Sequence, residues 1–177
     1  MLPRQPLSDG VVALRPWQSQ DAEWYVAQIG DADIQRFTAE PPELAPEAVR
    51  AAIEDMLVTQ AHAGLAITDA ATGTLLGNAG LAIDEPGVGD ISYWVAEDAR
   101  GRGVATRAVR LLVDWAWECG LRRVQLHARV ENVGSQRVAE KAGLHRERVQ
   151  HAARVVKGEE WDVVRYGLSR PDEPSMA

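Results

Sequence analysis

The chain of 177 residues has one cysteine, Cys119, and no long uncharged apolar run. A lone cysteine excludes an intrachain disulfide, so nothing points to a secreted protein. Cys119 continues the apolar positions of a predicted helix, which indicates a buried and unreactive thiol. No apolar segment reaches the about 18 residues that cross a bilayer, and residues 1–10 lack the apolar stretch of a signal peptide. We therefore expect a cytoplasmic protein with no membrane partner.

Basic residues are also scarce, since 19 Lys and Arg stand against 26 Asp and Glu, for a net charge of -7. An acidic surface repels the phosphate backbone, so nucleic acid is not an expected partner. The same negative surface charge attracts cationic amines weakly, but the need for solubility alone is a sufficient reason for this charge.

The apolar patterns along the chain predict one mixed α/β (α+β) domain over residues 1–170, followed by a disordered tail at 171–177. Four helices are predicted, at 19–29, from 46 onward, 104–119 and 133–141. Residues 31–45 are proline-rich and are predicted to be irregular. Seven strands are predicted in a mostly antiparallel sheet, at 11–14, 65–68, 74–83, 90–96, 123–130, 144–156 and 160–168.

A glycine-rich turn between a predicted strand and the longest predicted helix is the most informative segment. It comprises Arg100, Gly101, Arg102, Gly103, Val104, Ala105 and Thr106. The first amides of a helix have no intrahelical partner and carry partial positive charge, which suits a pyrophosphate. The two glycines let the backbone approach such a group, and the two arginines add charge. A dinucleotide fingerprint or a P-loop would need residues that are absent here, and a glycine turn without any ligand remains an alternative.

Several further motifs, taken together with this turn, resemble the GNAT superfamily of N-acetyltransferases. The turn matches the superfamily's R/Q-x-x-G-x-G/A motif, and its second motif is similar to Glu131-Asn132, Ser135 and residues 139–144. Residues 76–78, 92–95 and 161–166 are similar to the RimJ/RimL-type branch, which includes ribosomal-protein N-terminal acetyltransferases. The resemblance covers about residues 10–168 and implies a sheet whose middle strands splay apart.

The resemblance also implies roles for individual residues. Acetyl-CoA is the implied acyl donor, with its pyrophosphate on the amides of Arg100 to Thr106 and its pantetheine arm on the backbone of Val95. Asn132 matches an asparagine that contacts this arm, although it could equally be a helix N-cap. Ser135 matches a serine proposed to protonate the leaving thiolate, although a serine is also common at a helix start.

A general base is not evident from the sequence. RimL-like members carry a glutamate where this chain has Arg154, which puts a side-chain base in doubt. His151 is close by but is more simply an exposed strand residue. The other carboxylates considered are Asp90, Glu147 and Asp162, and Asp162 could instead hold the terminal hairpin. Side chains that could shape the acceptor site are Trp24, His127, Arg129 and those of residues 37–45.

The missing base favours one class of acceptor. Only a neutral amine attacks a thioester, and about a tenth of a protein α-amine is neutral at pH 7, whereas a lysine costs about 4–5 kcal/mol to deprotonate. The sequence therefore predicts an acetyltransferase, without a metal, that acts on a protein or peptide N-terminal α-amine. The alternatives are a polyamine or aminoglycoside acceptor, another donor such as succinyl-CoA, or a non-catalytic acyl-CoA-binding module. Many relatives are homodimers, so a homodimer is expected here too.

Overall fold

The computed structural model describes residues 2–59 and 63–171, so most of the predicted tail lies outside the described residues. The α-helices are α1 Ala22–Ile29, α2 Ala32–Phe37, α3 Pro46–Thr59, α4 Val104–Glu118 and α5 Val133–Lys141. The strands are β1 Leu7–Ser8, β2 Val12–Pro16, β3 Ala63–Asp69, β4 Leu75–Glu85, β5 Val88–Val95, β6 Arg123–Arg129, β7 His145–Val156 and β8 Glu159–Ser169. The predicted class, a mixed α/β fold with a mostly antiparallel sheet, is confirmed.

All eight strands of the described chain form one sheet in the order β1-β2-β3-β4-β5-β6-β8-β7. Neighbouring strands are antiparallel except β5 and β6, which run parallel and are connected through α4. A parallel connection needs a crossover, and here the longest helix provides it. Among the described strands, the parallel pair therefore lies near the middle of the sheet.

The two faces of the sheet carry different helices. Successive side chains of a strand point to opposite faces, and on β3 Leu65 and Ile67 belong to the core under α4, whereas Ala66 packs with α1 and α3. The buried side of α4 includes Ala108, Leu112 and Trp115, as its spacing predicted. A ligand that passes through the sheet would therefore reach from the α4 side to the α1–α3 side.

Three local expectations differ from the structure. Seven strands were predicted, but the described residues form eight, because the short β1 pairs with β2. Residues 31–45 were predicted to be irregular, but α2 forms within them because the Asp31 carboxylate accepts a hydrogen bond from the Ile34 amide and caps the helix. Cys119 is half-buried rather than buried. Its desolvation still raises the pKa of the thiol above the ordinary value, which agrees with the expected lack of reactivity. No helix among the described residues has the length and apolar character needed to cross a membrane.

Candidate active site

A gap opens in the middle of the sheet where β5 and β6 separate. Their pairing runs from Val88↔Arg123 to Ile91↔Leu126 and then stops. Beyond that point β5 stays paired with β4 as far as Val95, and β6 stays paired with β8 as far as Arg129. The facing edges of the two central strands are therefore unpaired there, and the splayed middle strands that the resemblance implied are confirmed.

The glycine-rich turn lies at the open end of this gap. Gly101 and Gly103 have positive φ angles of 73° and 77°, which side-chain-bearing residues rarely adopt, and a Cβ at either position would meet no atom within 4 Å. Gly103 is the N-cap of α4, and no side chain caps the helix. The first amides of the helix, from Val104 onward, are thus available to an anion, as a pyrophosphate site requires.

The side chains of the turn do not all point toward this site. Arg100 donates hydrogen bonds to Asp31 over 2.5 Å, to Asp33 over 3.2 Å and, through Nε, to the Val95 carbonyl over 3.1 Å. Its charge is therefore largely neutralised by the start of α2. Arg102 is exposed and does not line the cavity described below, whereas Thr106 does. Two cations that the sequence reasoning missed, Arg137 and Lys141 of α5, line the same cavity.

Ser135 and Tyr93 meet across the gap. The Tyr93 hydroxyl donates a hydrogen bond to Ser135 Oγ over 2.9 Å. Burial raises the pKa of Tyr93 to about 12, and the hydrogen bond to Ser135 offsets only part of that rise. Tyr93 therefore keeps its proton at neutral pH, and the hydrogen of Ser135 is left to donate to a third group. Asn132 holds Ser135 in place, because its Oδ1 accepts from the Ser135 amide over 2.9 Å.

A cavity of about 710 Å³ runs from the turn through the gap to the opposite face of the sheet. Pockets that hold small ligands are commonly about 300–1,000 Å³. Ser135 and Tyr93 line its middle, and Ile34, Phe37 and Trp161 line its far end. The cavity thus connects the anion site on one face with a chamber on the other.

Three polar side chains from three strands form a cluster in this far chamber. Arg154 Nη2 donates to Asp90 Oδ2 over 2.6 Å and lies 3.2 Å from His127 Nδ1. His127 Nδ1 also lies 3.4 Å from Asp90 Oδ1. The tautomer of His127 decides whether Nδ1 donates to Asp90 or accepts from Arg154. Arg154 thus occupies the chamber as a cation anchored on a carboxylate.

A model of the acetyltransferase (GNAT) domain family matches residues 12–145, which is more than half of the chain. The chain belongs to the GNAT acetyltransferase family. A curated relative, "Probable N-acetyltransferase YjcK" of Bacillus subtilis (strain 168), is 36% identical over 84 residues, covering 47% of this chain and 46% of the relative. The GNAT chain thus spans about half the length of the curated relatives that it matches.

Solved structures with the same fold include enzymes for different amines. Ribosomal-protein-S5-alanine acetyltransferase from Vibrio fischeri superposes with a TM-score of 0.80 at 15% identity, covering 96% of this chain and 100% of that chain. Spermidine N-acetyltransferase from Vibrio cholerae, solved with CoA and spermine, gives 0.79 at 18% identity, covering 91% and 96%. At these identities the likeness supports the fold alone, and the fold accommodates both protein and polyamine acceptors.

Most of the candidate bases lie away from the site of this GNAT chain. Glu147 is paired with Arg123 and Arg165, and it does not line the cavity. His151 is 79% exposed and lies 2.7 Å from Asp162. A carboxylate therefore orients it, which its neighbours along the chain did not indicate. Asp162 also accepts from the Ala152 amide and holds the terminal hairpin, one of the two roles considered for it.

Asp90 is the candidate carboxylate that lines the cavity, and its charge is stabilised there. Burial alone would raise the pKa of Asp90, but its hydrogen bond to His127 and the charges of His127 and Arg154 together lower it below the ordinary 3.8. A carboxylate with a lowered pKa is a weak proton acceptor. Asp90 therefore anchors Arg154 and is poorly suited to be a general base.

Of the other residues considered for the acceptor side, some line the cavity and others pack behind the residues that line it. His127, Arg129 and residues 37–39 line the cavity. Trp24 does not, because it stacks on Trp94 with ring centroids 6.0 Å apart. Behind the wall, Glu40 accepts hydrogen bonds from Tyr25 and Trp94 and ties the segment after α2 to the sheet. Tyr93 was missed as a site residue, although its place on the α5 side of β5, two residues before Val95, was a usable signal.

The variant Asp90→Asn tests the anchor. We expect it to lower the free energy of unfolding at pH 7 by about 1–2 kcal/mol, less than a fully buried pair would lose, since Arg154 is 47% exposed. The folded pKa of Asp90 is lowered, so its contribution is complete above the unfolded value and disappears as the pH falls through the folded one. Urea unfolding at pH 7 and pH 3 measures this. An equal loss at both pH values would contradict the assignment.

Proposed function

We propose that this chain transfers an acetyl group from acetyl-CoA to the α-amine of a protein or peptide. The observation that carries the proposal is the gap between β5 and β6, which joins an uncapped helix N-terminus to a chamber on the other face of the sheet. The thioester of the acyl donor and the amine of the acceptor would then meet from opposite faces of the sheet. This arrangement suits direct transfer without a covalent enzyme intermediate.

On the donor side, the backbone of Gly101 to Thr106 would bind the pyrophosphate, with Arg137 and Lys141 adding charge nearby. The free edge of β5 up to Val95 would bind the amides of the pantetheine arm. The Oδ1 of Asn132 already accepts the hydrogen bond that caps α5. Its NH₂ group is the part of the side chain that would bind the arm, as a donor. The carbonyl of the acetyl group would then lie near Ser135.

In the reaction, the neutral amine attacks the thioester carbonyl, and a carbon–nitrogen bond forms. The carbon–sulfur bond breaks, and the electron pair leaves on sulfur. Ser135 Oγ donates its proton to this thiolate and is reprotonated through the Tyr93 hydroxyl, which lies 2.9 Å away. The nitrogen releases its extra proton to water. The products are an amide and the free thiol of CoA.

The acceptor is an α-amine in this proposal because the chamber offers no strong base. Asp90 is engaged by Arg154, and Arg154 itself cannot accept a proton. At neutral pH an α-amine is neutral for about a tenth of the time, and the lysine amine for less than about one part in a thousand.

Release of CoA thiol from acetyl-CoA, measured against a panel of amines, tests the proposal. The panel consists of N-terminal peptides, peptides with only a lysine amine, polyamines and aminoglycosides. We expect turnover with the N-terminal peptides. Turnover with only a small-molecule amine would make that amine the acceptor in place of the α-amine. Turnover only with succinyl-CoA would make succinyl-CoA the donor. CoA binding without any turnover would indicate a binding module.

The variant Tyr93→Phe probes the proton path. Removal of the hydroxyl takes away the hydrogen bond to Ser135 and leaves the ring in place, so we expect kcat to fall about tenfold with little change in the KM for acetyl-CoA. Steady-state kinetics at several pH values measures the effect. An unchanged kcat would remove Tyr93 from the mechanism, and a raised KM with unchanged kcat would assign it to donor binding.

A further inference from the structure

Arg154 brings a positive charge into the far chamber. It stands on β7 opposite Trp161 of β8, and both side chains line the cavity that also contains Ser135. We propose that Arg154, anchored by Asp90, makes this site select acceptors that carry an anionic group close to the reacting amine and disfavour polycations. This inference rests on the proposed function, since it names the class of acceptor for that reaction.

The exposure of the cluster determines which charge an acceptor meets. The side chain of Arg154 is 47% exposed, whereas those of Asp90 and His127 are 12% and 13% exposed. The carboxylate is thus largely covered, and the guanidinium lies in front of it. A ligand that enters the chamber contacts a cation, although the pair as a whole is neutral.

Arg154 also has hydrogen-bond donors that its contacts with Asp90 and His127 do not use. Its hydrogen bond to Asp90 and its contact with His127 both use Nη2. Within residues 2–59 and 63–171, neither Nε nor Nη1 of Arg154 has a hydrogen-bond partner. A guanidinium with free donors and a fixed orientation binds carboxylate or phosphate oxygens through charge-assisted hydrogen bonds.

A second arginine supports the same preference. Arg129 lines the chamber, and its guanidinium lies over the Trp161 ring at 4.7 Å. Its Nε is buried and forms no hydrogen bond among the described residues, although Glu131 Oε2 lies 3.4 Å away. The chamber thus presents two guanidinium groups, of which Arg129 lies near Glu131 and Glu159. The carboxylates that line the cavity, Asp33 and Asp90, are already paired with Arg100 and Arg154. A polyamine would need unpaired carboxylates for its charges.

The acceptor class follows from this chemistry. It comprises α-amines with a carboxylate or phosphate within one or two residues, such as peptides with an acidic second residue. The carboxylate of such a peptide would bind Arg154 while its amine faces the thioester. We expect kcat/KM to be about tenfold or more higher for an acidic second residue than for its amide, which is the effect of one charge-assisted hydrogen bond.

Thiol release is measured with three peptides that differ only at the second residue, which is aspartate, asparagine or lysine, and with spermidine. The wild-type chain should prefer aspartate, then asparagine, then lysine. Arg154→Gln should remove this preference, and Arg154→Glu should reverse it in favour of lysine. Arg148→Gln is the matched control, because Arg148 is an exposed arginine of the same strand that does not line the cavity, and it should keep the wild-type order.

The outcomes separate this inference from the proposed function. Equal rates with all three peptides, or a preference for lysine or spermidine, in the wild-type chain would overturn the selection by Arg154 and leave an acetyltransferase. No release with any amine would overturn both. The wild-type comparison needs no variant, so a variant that fails to fold does not weaken the test. Circular dichroism of each variant shows which of them are folded.

Discussion

Replacement of Ser135 by alanine lowers kcat about 100-fold and leaves the KM for acetyl-CoA nearly unchanged, because a positioned general acid contributes about 10²–10⁴-fold. The leaving thiolate loses the hydroxyl that would protonate it, while the amides of the turn that would hold the pyrophosphate are untouched. Steady-state kinetics with a good acceptor measures both constants.

Two further variants make this result specific. Ser19→Ala is the control, because Ser19 is an exposed serine at the start of another helical segment, and it should behave as the wild type. The double variant of Ser135→Ala and Tyr93→Phe should be no slower than Ser135→Ala, since the two hydroxyls act as one path. An Ser135→Ala variant that keeps most of its kcat would assign the proton to another group.

Replacement of Gly77 by alanine lowers the free energy of unfolding by about 3 kcal/mol, because a new methyl group would overlap backbone that has no room to move. A Cβ at Gly77 would lie 2.3 Å from the Trp94 carbonyl oxygen and 3.0 Å from the Val95 Cα. Gly77 pairs with Val95 at the end of β5, where that strand has already left β6. Relief of the clash must displace the edge to which the pantetheine arm would bind.

Loss of affinity for CoA should therefore accompany the loss of stability in Gly77→Ala. Urea unfolding and calorimetric titration with CoA measure the two effects. Gly30→Ala is the control, because a Cβ there meets no atom within 4 Å and Gly30 has helical backbone angles. It should change the unfolding free energy by no more than about 1 kcal/mol. Equal stability of the two variants would show that β4 and β5 are not so closely packed.

The geometry of the glycine-rich turn was predictable from the sequence because it is local. The turn, its two glycines and the start of α4 are contiguous, and their geometry follows from the rules for helix ends. Asn132 and Ser135 are three residues apart, and the capping rule alone places the Asn132 side chain on the Ser135 amide. The structure added that Arg100 is engaged by α2, which required knowing where Asp31 and Asp33 lie.

The acceptor side was less predictable because its residues come together only in three dimensions. Asp90, His127 and Arg154 lie on three different strands, and no spacing in the chain relates them. The departure at Arg154 was visible in the sequence, but its partner was not. The helix α2 was hidden because six residues show little periodicity, and the prolines that follow suggested an irregular segment. Tertiary pairing, rather than propensity, determines this part of the site.

The central claim is that the gap between β5 and β6 binds acyl-CoA, and backbone-amide NMR during a titration with CoA tests it most directly. We expect the largest shifts at the amides of 93–95 along the edge of β5 and of 101–106 in the turn. Smaller shifts should follow at the start of α5, around Asn132 and Ser135. No shifts at saturating CoA, or shifts concentrated elsewhere, such as at the turn between β7 and β8, would contradict the account.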